Sequence, residues 1–513
     1  MAPLKLDIDT GDADTGDSGA ADTGDADSGA AVDERKLTVQ SFLRALRAVR
    51  GEAFTDSEER PFVSVWIGKR LETRTVNETA EWLAARLFDQ LGAVASRHVK
   101  SETEAHLLAM AQQKPQAHCV YVRFARLGDM VYLDLAERDS SRAVEIDRGG
   151  WRIVESPPVR FIRYRETSAL CAPIRGGSVA DLWQIVNIPH ELDRACVVAF
   201  LVGAIAGQPA ALILTGAAGS AKTSALVALR SLIDPTPEAR AAPPKKEEDL
   251  FINATRAGML SFDNLSEIPS WLSDAFARFI TGTANLTRTL YTNSGQTMLR
   301  ARCPIVLNGI PDELIQRSDL VSRSLIVALS PPTVRLTESE ANARRTALSP
   351  GILGGLCDAV ACGLRSDAEI DRAKLPRLAD FTQFAYRAAP AFGLSSNFML
   401  DALRGNQESG AAIALDQEAI IPIVKLYLRN RGEFRGTAAE LHAALHKTAQ
   451  ANDLPGLPRA PNALMCRLRM IRPHLPTVGI DMSDSRTNRG RGLALRLTTE
   501  EQKCQKDADG AAR

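Results

Sequence analysis

The stretch that decides the fold is ALILTGAAGSAKTSALVAL, which runs from Ala211 to Leu229. Its first five residues predict a buried strand, and the apolar spacing after Thr223 predicts a helix. The loop between them has the pattern G-x-x-x-x-A-K-T and consists mostly of small residues. Such a loop lets backbone N–H groups surround phosphate oxygens at a helix N-terminus, where the helix dipole favours negative charge. The stretch therefore predicts a phosphate-binding loop between a strand and a helix.

The loop residues have separate predicted roles. Lys222 would neutralise the outer phosphates of ATP, and the Thr223 hydroxyl would hold Mg²⁺. The pattern has Ala221 where glycine is usual, and the extra methyl group is harmless only if this residue keeps a negative φ. The predicted ATP-binding residues are Gly216, Ala217, Ala218, Gly219, Ser220, Ala221, Lys222, Thr223 and Ser224.

Two later strands carry polar residues at their ends. GMLSFDN predicts a buried strand that ends in Asp263, a second magnesium ligand beside the loop. In the alternative interpretation, Asp263 caps a helix over Ser266–Phe279. PIVLNGI predicts a strand that ends in Asn308, whose amide could lie between the γ-phosphate and the attacking water.

Asn264 follows Asp263, at the position where a glutamate would usually orient the attacking water. An amide there predicts slow hydrolysis and makes Glu267 or Asp274 a possible substitute base.

The order GAAGSAKT, FDN, VLNG and DLVSR resembles the AAA+ ATPases, especially the superfamily 3 helicases, over roughly residues 190–345. The resemblance implies a homo-oligomeric ring, a hexamer in that family, with ATP between subunits. It assigns Asn308 to the sensor 1 position and Arg323 to the arginine finger that reaches a neighbour's ATP. From the residues alone, Arg317 and Arg323 both precede a further predicted strand, and either could be a surface arginine. Similar GSAKT, DNLS, LYTN and LNGI strings occur in uncharacterised ATP-binding proteins of prophages and integrative elements.

By the same resemblance, a β-hairpin between the second and third motifs would line the pore. LTRTLYTNSGQTMLRARC fits it, with strands Leu286–Tyr291 and Thr297–Arg302 around an Asn-Ser-Gly turn. Arg288 and Arg300 are its candidate DNA contacts. The tip departs from the family because it presents Thr292, Asn293 and Ser294 instead of a charged or aromatic residue.

The C-terminal part is basic. Helices at Thr437–Ala449 and Pro461–Met470 precede two predicted strands around SRTNRGR, an order similar to a winged helix. Clustered arginines are typical of phosphate-backbone binding. The candidate DNA-binding residues here are Arg467, Arg469, Arg486, Arg489 and Arg491. A winged helix that binds protein instead remains the alternative.

The remaining composition sets limits. Residues 1–35 hold ten acidic residues against two basic ones, lack aromatic side chains and are expected to be disordered. Eight scattered cysteines without a C-x-x-C pair indicate a reduced cytoplasm.

The longest apolar stretch, Ala195–Leu214, is interrupted at Gly207–Pro209 and predicts a buried helix and strand, so we expect no membrane span. Asp134, in VYLDLAE, is expected to be a solvated carboxylate and not part of a primase site.

The sequence therefore predicts an α/β fold. It combines an AAA+ type P-loop domain with a mixed α+β N-terminal domain of unassigned role, a helical segment and a C-terminal winged-helix-like domain. The expected boundaries are 1–35 (acidic tail), 36–185 (mixed domain), 186–345 (ATPase domain), 346–432 (helical region), 433–500 (winged-helix-like domain) and 501–513 (tail).

The leading functional hypothesis is a cytoplasmic, helicase-like ATPase that uses ATP and Mg²⁺, acts on single-stranded or forked DNA and serves replication of a mobile element. One rival hypothesis is a regulator or defence sensor that hydrolyses ATP slowly without unwinding. The other is a helicase-loading or partition protein.

Overall fold

The computed structural model describes residues 37–282, 284–288, 296–309, 317–416, 420–487 and 490–498. The predicted tails at 1–35 and 501–513 and the predicted hairpin tip lie outside these residues. The helices are α1 Val39–Ala48, α2 Val76–Leu91, α3 Arg97–Gln112, α4 Glu191–Ile205, α5 Lys222–Ile233, α6 Glu247–Arg256, α7 Ser270–Thr281, α8 Ser318–Val321, α9 Glu338–Arg365, α10 Ala379–Ala388, α11 Ser396–Asp416, α12 Ile420–Arg431, α13 Ala438–Ala451 and α14 Pro461–Ile471.

The strands, in chain order, are β1 Glu52–Thr55, β2 Pro61–Ile67, β3 Arg70–Thr75, β4 Val120–Tyr121, β5 Phe124–Leu127, β6 Met130–Asp134, β7 Ala143–Asp147, β8 Gly150–Val154, β9 Arg160–Phe161, β10 Ala211–Thr215, β11 Leu260–Leu265, β12 Ala284–Arg288, β13 Gln296–Arg300, β14 Ile305–Gly309, β15 Ser324–Ala328, β16 Glu433–Gly436, β17 Ile480–Thr487 and β18 Gly490–Leu497.

The chain divides into two compact units. Unit 1 holds the described residues up to Val122 with Ala136–Ala143 and Val154–Tyr164, and unit 2 holds Arg123–Leu135, Val144–Ile153 and the described residues from Arg165 onward. The sequence placed all of 36–185 in one domain, whereas three stretches of that range, Arg123–Leu135, Val144–Ile153 and 165–185, group with the phosphate loop. A buried ion pair within unit 2, between Arg123 and Asp234, is one reason for this grouping.

Unit 1 combines an antiparallel sheet with helices. Its strand order is β1-β2-β3, and a short parallel pair joins β4 to β9. Helix α2 begins where Thr75 and Glu78 form a capping box, in which each side chain accepts from the other residue's backbone N–H. Apolar residues of the helices, including Phe42, Leu83 and Leu107, pack into one core with the inner residues of β2.

A second sheet, with strand order β5-β6-β7-β8, falls almost wholly within unit 2. Asp134, at the end of β6, is completely buried, so the expectation of a solvated carboxylate is wrong. The sequence VYLDL does not reveal the burial of Asp134, because β6 is buried at four of its five residues and does not alternate between core and solvent.

A parallel sheet with strand order β11-β14-β10-β15 forms the centre of unit 2. Both of its faces are covered. Leu212 and Leu214 of β10 pack into the core that contains α4 and α5, whereas Ala211 and Ile213 pack into the core that contains α7. This arrangement explains the continuous apolar run of β10, since a parallel strand covered on both sides has no solvent face. The predicted mainly parallel sheet is present in this part of the chain.

Helix α9 is long and apolar enough to cross a membrane by length and composition, and it is the one such helix among the described residues. It is weak support for a span, because 61% of its most apolar window is buried inside the protein. Leu353, Leu356 and Val360 of this helix pack with α4 and α5 in the same core.

The C-terminal part of unit 2 contains an antiparallel sheet with strand order β16-β18-β17, packed on α12, α13 and α14. The predicted helices and the β17–β18 hairpin are present. Strand β16 was not predicted because it has four residues, of which Phe434 is the one large apolar side chain.

Candidate phosphate-binding site

The loop after β10 has the backbone shape that its glycines require. Gly216 has a φ of 142° and Gly219 a φ of 79°, values that other residues rarely adopt. A Cβ atom at Gly216 would also collide with the carbonyl oxygen of Leu329. The loop therefore closes tightly against the segment that follows β15.

Ala221 ends the loop in the left-handed region, with a φ of 60° and a ψ of 31°, directly before α5 begins. The condition set for this residue, a negative φ, is not met. An alanine in this conformation costs about 1–2 kcal/mol, because its Cβ approaches the carbonyl oxygen. The loop thus keeps the backbone that glycine would give and carries the strain of the methyl group.

The side chains that follow the loop point to one place. The Lys222 ammonium donates to the carbonyl oxygens of Gly216 and Ala217, at 2.8 and 3.2 Å. The Thr223 hydroxyl donates to Asp263 Oδ1 at 2.9 Å. A cation, a hydroxyl and a carboxylate therefore converge at the carboxyl ends of β10 and β11, where ligands of parallel sheets usually bind.

The end of β11 is irregular in a way that positions Asp263. The pairing of β11 with β14 changes register between Phe262 and Leu265, and Asn264 within this bulge has a φ of 55°. Bulges of this kind redirect a side chain at a strand end. Asparagine tolerates the left-handed conformation better than most residues, which accounts for its presence here.

Asn308 completes the cluster from β14. Its Oδ1 accepts from the backbone N–H of Asn264 at 2.6 Å, while its Nδ2 is buried and has no hydrogen-bond partner in the described part of the chain. Asn308 is 2% exposed. A buried amide donor without an acceptor is costly unless a ligand satisfies it. The cluster thus offers an ammonium and a free amide to an anion, and a hydroxyl and a carboxylate to a cation.

A cavity of about 650 Å³ adjoins the loop, and the sequence reasoning missed it. It lies between residues 183–187, the start of α5, and residues 332–344. Exposed Arg335 lines it, with Nη2 3.4 Å from the point where a Cβ of Gly219 would lie. No sequence pattern marks Arg335, because its place beside the loop depends on the path of the chain after β15, the strand that neighbours β10.

Arg323 does not join this cluster. Its carbonyl accepts from Ala211 N, at the start of β10, and its guanidinium pairs with Asp319. The five residues of β10, at about 3.3 Å each, put this end of the sheet roughly 16 Å from the loop. Its side chain is 13% exposed, and Arg377 also contacts Asp319, at 2.9 Å. Arg317 lies nearby, with its guanidinium 3.3 Å from Asp274.

The structure describes the side chains of some candidate DNA-binding arginines and not of others. Strands β12 and β13 pair antiparallel, with Arg288 opposite Gln296 and Arg300 opposite Ala284, but the side chains of both arginines lie outside the described part. Arg467 and Arg469 are both exposed on α14.

In the C-terminal hairpin, the register puts Arg486 directly opposite Arg491. The side chains of both residues lie outside the described part of the chain. Arg489 lies outside the described residues.

Comparison with known proteins gives a family. The model of the actinomycete integrative conjugative element replication protein matches residues 179–407, and the model of the AICE RepA C-terminal domain matches residues 418–508. No curated protein matches the chain significantly.

Solved structures resemble the chain at 10% identity. The SCCmec type IV Cch active helicase has a TM-score of 0.47, covering 87% of this chain and 92% of its own. The apo structure of the NrS-1 C terminal region has a TM-score of 0.40, covering 90% of this chain and 99% of its own.

Proposed function

Because the chain belongs to the family of actinomycete integrative conjugative element replication proteins, we propose that it is an ATP-hydrolysing, helicase-like motor that acts on the element's DNA in the cytoplasm. The observation that carries the proposal is the contact between Thr223 and Asp263 beside a glycine loop. A hydroxyl and a carboxylate so placed are the usual protein ligands of the magnesium that accompanies ATP in P-loop enzymes.

The residues of the cluster fit Mg-ATP. The loop from Gly216 to Ser224 would bind the phosphates through its backbone N–H groups, and Lys222 would exchange its two loop carbonyls for phosphate oxygens. Thr223 and Asp263 would hold Mg²⁺, which neutralises phosphate charge when bound.

Asn308 and Arg335 have distinct places in this proposal. The unsatisfied Nδ2 of Asn308 would donate to the γ-phosphate or to the attacking water. Arg335, which approaches Gly219 from the chain after β15, would contact the phosphates of the same protomer's nucleotide. The cavity beside it would accept the base and ribose.

Arg323 would serve a neighbouring protomer. Its position at the amino end of β15 is too far from its own loop, so a role in hydrolysis requires a second subunit. We therefore propose a homo-oligomeric AAA+ type ring, a hexamer by resemblance to superfamily 3 helicases, in which the β12–β13 hairpin faces DNA and the β16-β18-β17 sheet with its helices is a winged-helix-like DNA-binding module. The domain boundaries at 186–345, 346–432 and 433–500 are part of this proposal.

The motor proposal is tested by the effect of DNA on hydrolysis. We expect single-stranded or forked DNA to raise the steady-state rate of phosphate release by the full chain, because a motor couples hydrolysis to its track. The measurement is a phosphate-release assay with and without oligonucleotide, followed by strand displacement on a labelled fork. A rate that DNA leaves unchanged, with no strand displacement, would contradict the motor proposal.

A second candidate function is a nucleotide-controlled regulator that hydrolyses ATP slowly. It is favoured by Asn264, which occupies the position of the usual catalytic glutamate and whose exposed side chain lies in the bulge beside Asp263. In that case the basal rate is slow, DNA does not stimulate it, and ATP changes the oligomeric state instead.

Mixing two inactive variants tests the assignment of Arg323. We expect Arg323→Ala and Lys222→Ala to be inactive alone and to regain part of the activity when mixed, because some interfaces then pair an intact loop with an intact arginine. Phosphate release is measured after subunit exchange has been verified with labelled protomers. Arg377→Ala is the matched control, since Arg377 shares the Asp319 contact. If exchanging mixtures stay inactive, Arg323 does not act across the interface.

A further inference from the structure

Unit 1 contains a cavity of about 180 Å³ that the proposed motor function does not use. It lies along β3, the edge strand of the β1-β2-β3 sheet, and residues 156–163 form its other side. The Ser141 hydroxyl accepts a hydrogen bond from Leu71 N at 2.8 Å and donates one to the Leu71 carbonyl at 3.1 Å. Thr73 forms an isolated parallel β-bridge with Ile162. The edge of β3 is therefore already engaged, which argues against a peptide that adds as a further strand.

The charge of this cavity is positive. Arg74, Arg160 and Arg163 line it together with one acid, Glu72. Glu72 is neutralised within the protein, because both Arg70 and Arg74 form ion pairs with it. The remaining charge is that of arginines, whose planar fork matches the oxygens of a phosphate.

The position of Arg160 is not explained by packing within the folded protein. Its Nε is buried and donates to no acceptor among the described residues. Burial lowers the pKa of its guanidinium, which means that the charged form is poorly solvated. Glu52, whose charge favours the charged form of Arg160, is itself paired with Lys114 at 2.9 Å. A buried donor left in this state is unfavourable for folding and is explained by a ligand that accepts from it.

Trp66 supplies a surface of a different kind. It lies on β2 opposite Leu71 and lines the same cavity, and it is partly exposed. An indole face beside arginines is the combination that binds single-stranded nucleic acid, in which the base stacks on the ring and the phosphate pairs with the cation. The cavity is too small for a duplex but admits one base.

We propose that this cavity binds one nucleotide of single-stranded DNA, with its base against Trp66 and its phosphate on Arg160. The site shares no residue with the phosphate loop or with the C-terminal arginines, so it would bind DNA in the absence of ATP. It goes beyond the motor proposal because it assigns DNA binding to unit 1, where the sequence indicated no chemistry.

The test separates the phosphate contact from the base contact. Binding of a labelled oligothymidylate to the full chain without nucleotide is measured by fluorescence anisotropy over a range of salt. We expect Arg160→Ala to weaken binding and to reduce the slope of log affinity against log salt by about 0.7, the value for one phosphate of a single strand. Trp66→Leu should weaken binding at least about fivefold and leave the slope unchanged, because stacking releases no counterion.

Arg97→Ala is the matched control, since Arg97 is an exposed arginine of the same unit on α3. It should leave both affinity and slope as in the unchanged protein. If Arg160→Ala behaves like Arg97→Ala, the proposal is wrong. It is also wrong if Arg160→Ala abolishes binding of a labelled acidic peptide and leaves the oligothymidylate unaffected, because the cavity is then a protein-binding site.

Photo-cross-linking keeps the test decisive if a variant fails to fold. A bromodeoxyuridine-substituted oligonucleotide is irradiated with the unchanged protein, and the cross-linked peptides are identified by mass spectrometry. We expect a cross-linked peptide that contains Trp66. Cross-links confined to unit 2 would overturn the proposal without bearing on the phosphate loop or on the motor function.

Discussion

Lys222→Ala should reduce ATP turnover at least about 100-fold, the scale of loss when one positioned donor to a reacting group is removed. Lys222 is the cation that already contacts the loop, through the carbonyls of Gly216 and Ala217. Its loss removes the ammonium that would contact the outer phosphates, so nucleotide affinity should fall as well. Phosphate release and binding of a fluorescent ATP analogue measure the two effects separately.

Two variants control for this result. Lys245→Ala removes an exposed lysine of the same unit and should change neither rate nor affinity. Ala221→Gly changes the residue next to Lys222 and is expected to stabilise the protein. It relieves the left-handed alanine and should raise the free energy of unfolding by about 1 kcal/mol with activity retained. Undiminished hydrolysis by Lys222→Ala would remove the basis of the ATPase proposal.

The order of elements around the site could be predicted from the sequence. The run Ala211–Thr215 is buried and continuous in apolar residues, and the helix after it begins at Lys222. Asp263 and Asn308 each lie near the carboxyl end of a strand of the same parallel sheet, and this common edge brings them together. The spacing of apolar residues and the order of the strands along the chain determine such features, and both can be deduced from local sequence.

The backbone details of the site could not be deduced in this way. The left-handed φ of Ala221 contradicts the preference of alanine, and the bulge at Asp263–Asn264 leaves no mark on the apolar pattern of β11. Both are imposed by tertiary contacts, and strain of this kind is concentrated at functional sites. Arg335 was missed for another reason, because proximity to Gly219 depends on the path of the chain after β15.

Ion pairs between residues far apart in the chain could not be predicted from the sequence either. Arg123 and Asp234 are 111 positions apart, and their ion pair joins the β5–β8 sheet to the helix that follows the phosphate loop. A solitary arginine directly before a strand and an aspartate directly after a helix are both usually solvent-exposed. Their buried ion pair links the residues around β5 and β6 to the end of α5, the helix that begins at the candidate phosphate loop.

The carboxylate of Asp234 is the centre of this buried network. Its Oδ1 accepts from Arg123 Nε at 2.9 Å, and its Oδ2 accepts from Met259 N at 2.8 Å and from Arg230 Nη2 at 3.2 Å. The side chains of Arg123, Asp234 and Arg230 are 0%, 6% and 8% exposed. Burial lowers the pKa of Arg230, and the charge of Asp234 opposes this shift. One carboxylate thus compensates two buried guanidinium groups.

Asp234→Asn should therefore lower the free energy of unfolding by about 3–5 kcal/mol, because it leaves two buried cations without their anion while preserving shape. Urea unfolding followed by far-ultraviolet circular dichroism measures the change. Asp367→Asn is the matched control. Asp367 pairs with Arg148 at 2.8 Å, but their side chains are 83% and 53% exposed, so its loss should cost no more than about 1 kcal/mol. A similar change in the two variants would show that the Asp234 network contributes no more than a surface pair.

The same substitution should also affect the phosphate-binding site. Arg230 Nη1 donates to Ser261 Oγ at 3.1 Å, and Ser261 lies two residues before Asp263 on β11. Movement of Arg230 toward another acceptor would shift β11 and with it the carboxylate that contacts Thr223. We therefore expect folded Asp234→Asn protein to hydrolyse ATP more slowly at saturating ATP, whereas Asp367→Asn protein keeps the original rate. Hydrolysis is assayed well below the unfolding midpoint of each variant, so that loss of folded protein does not mimic the effect. An unchanged rate in the destabilised variant would mean that the network supports the fold without positioning Asp263.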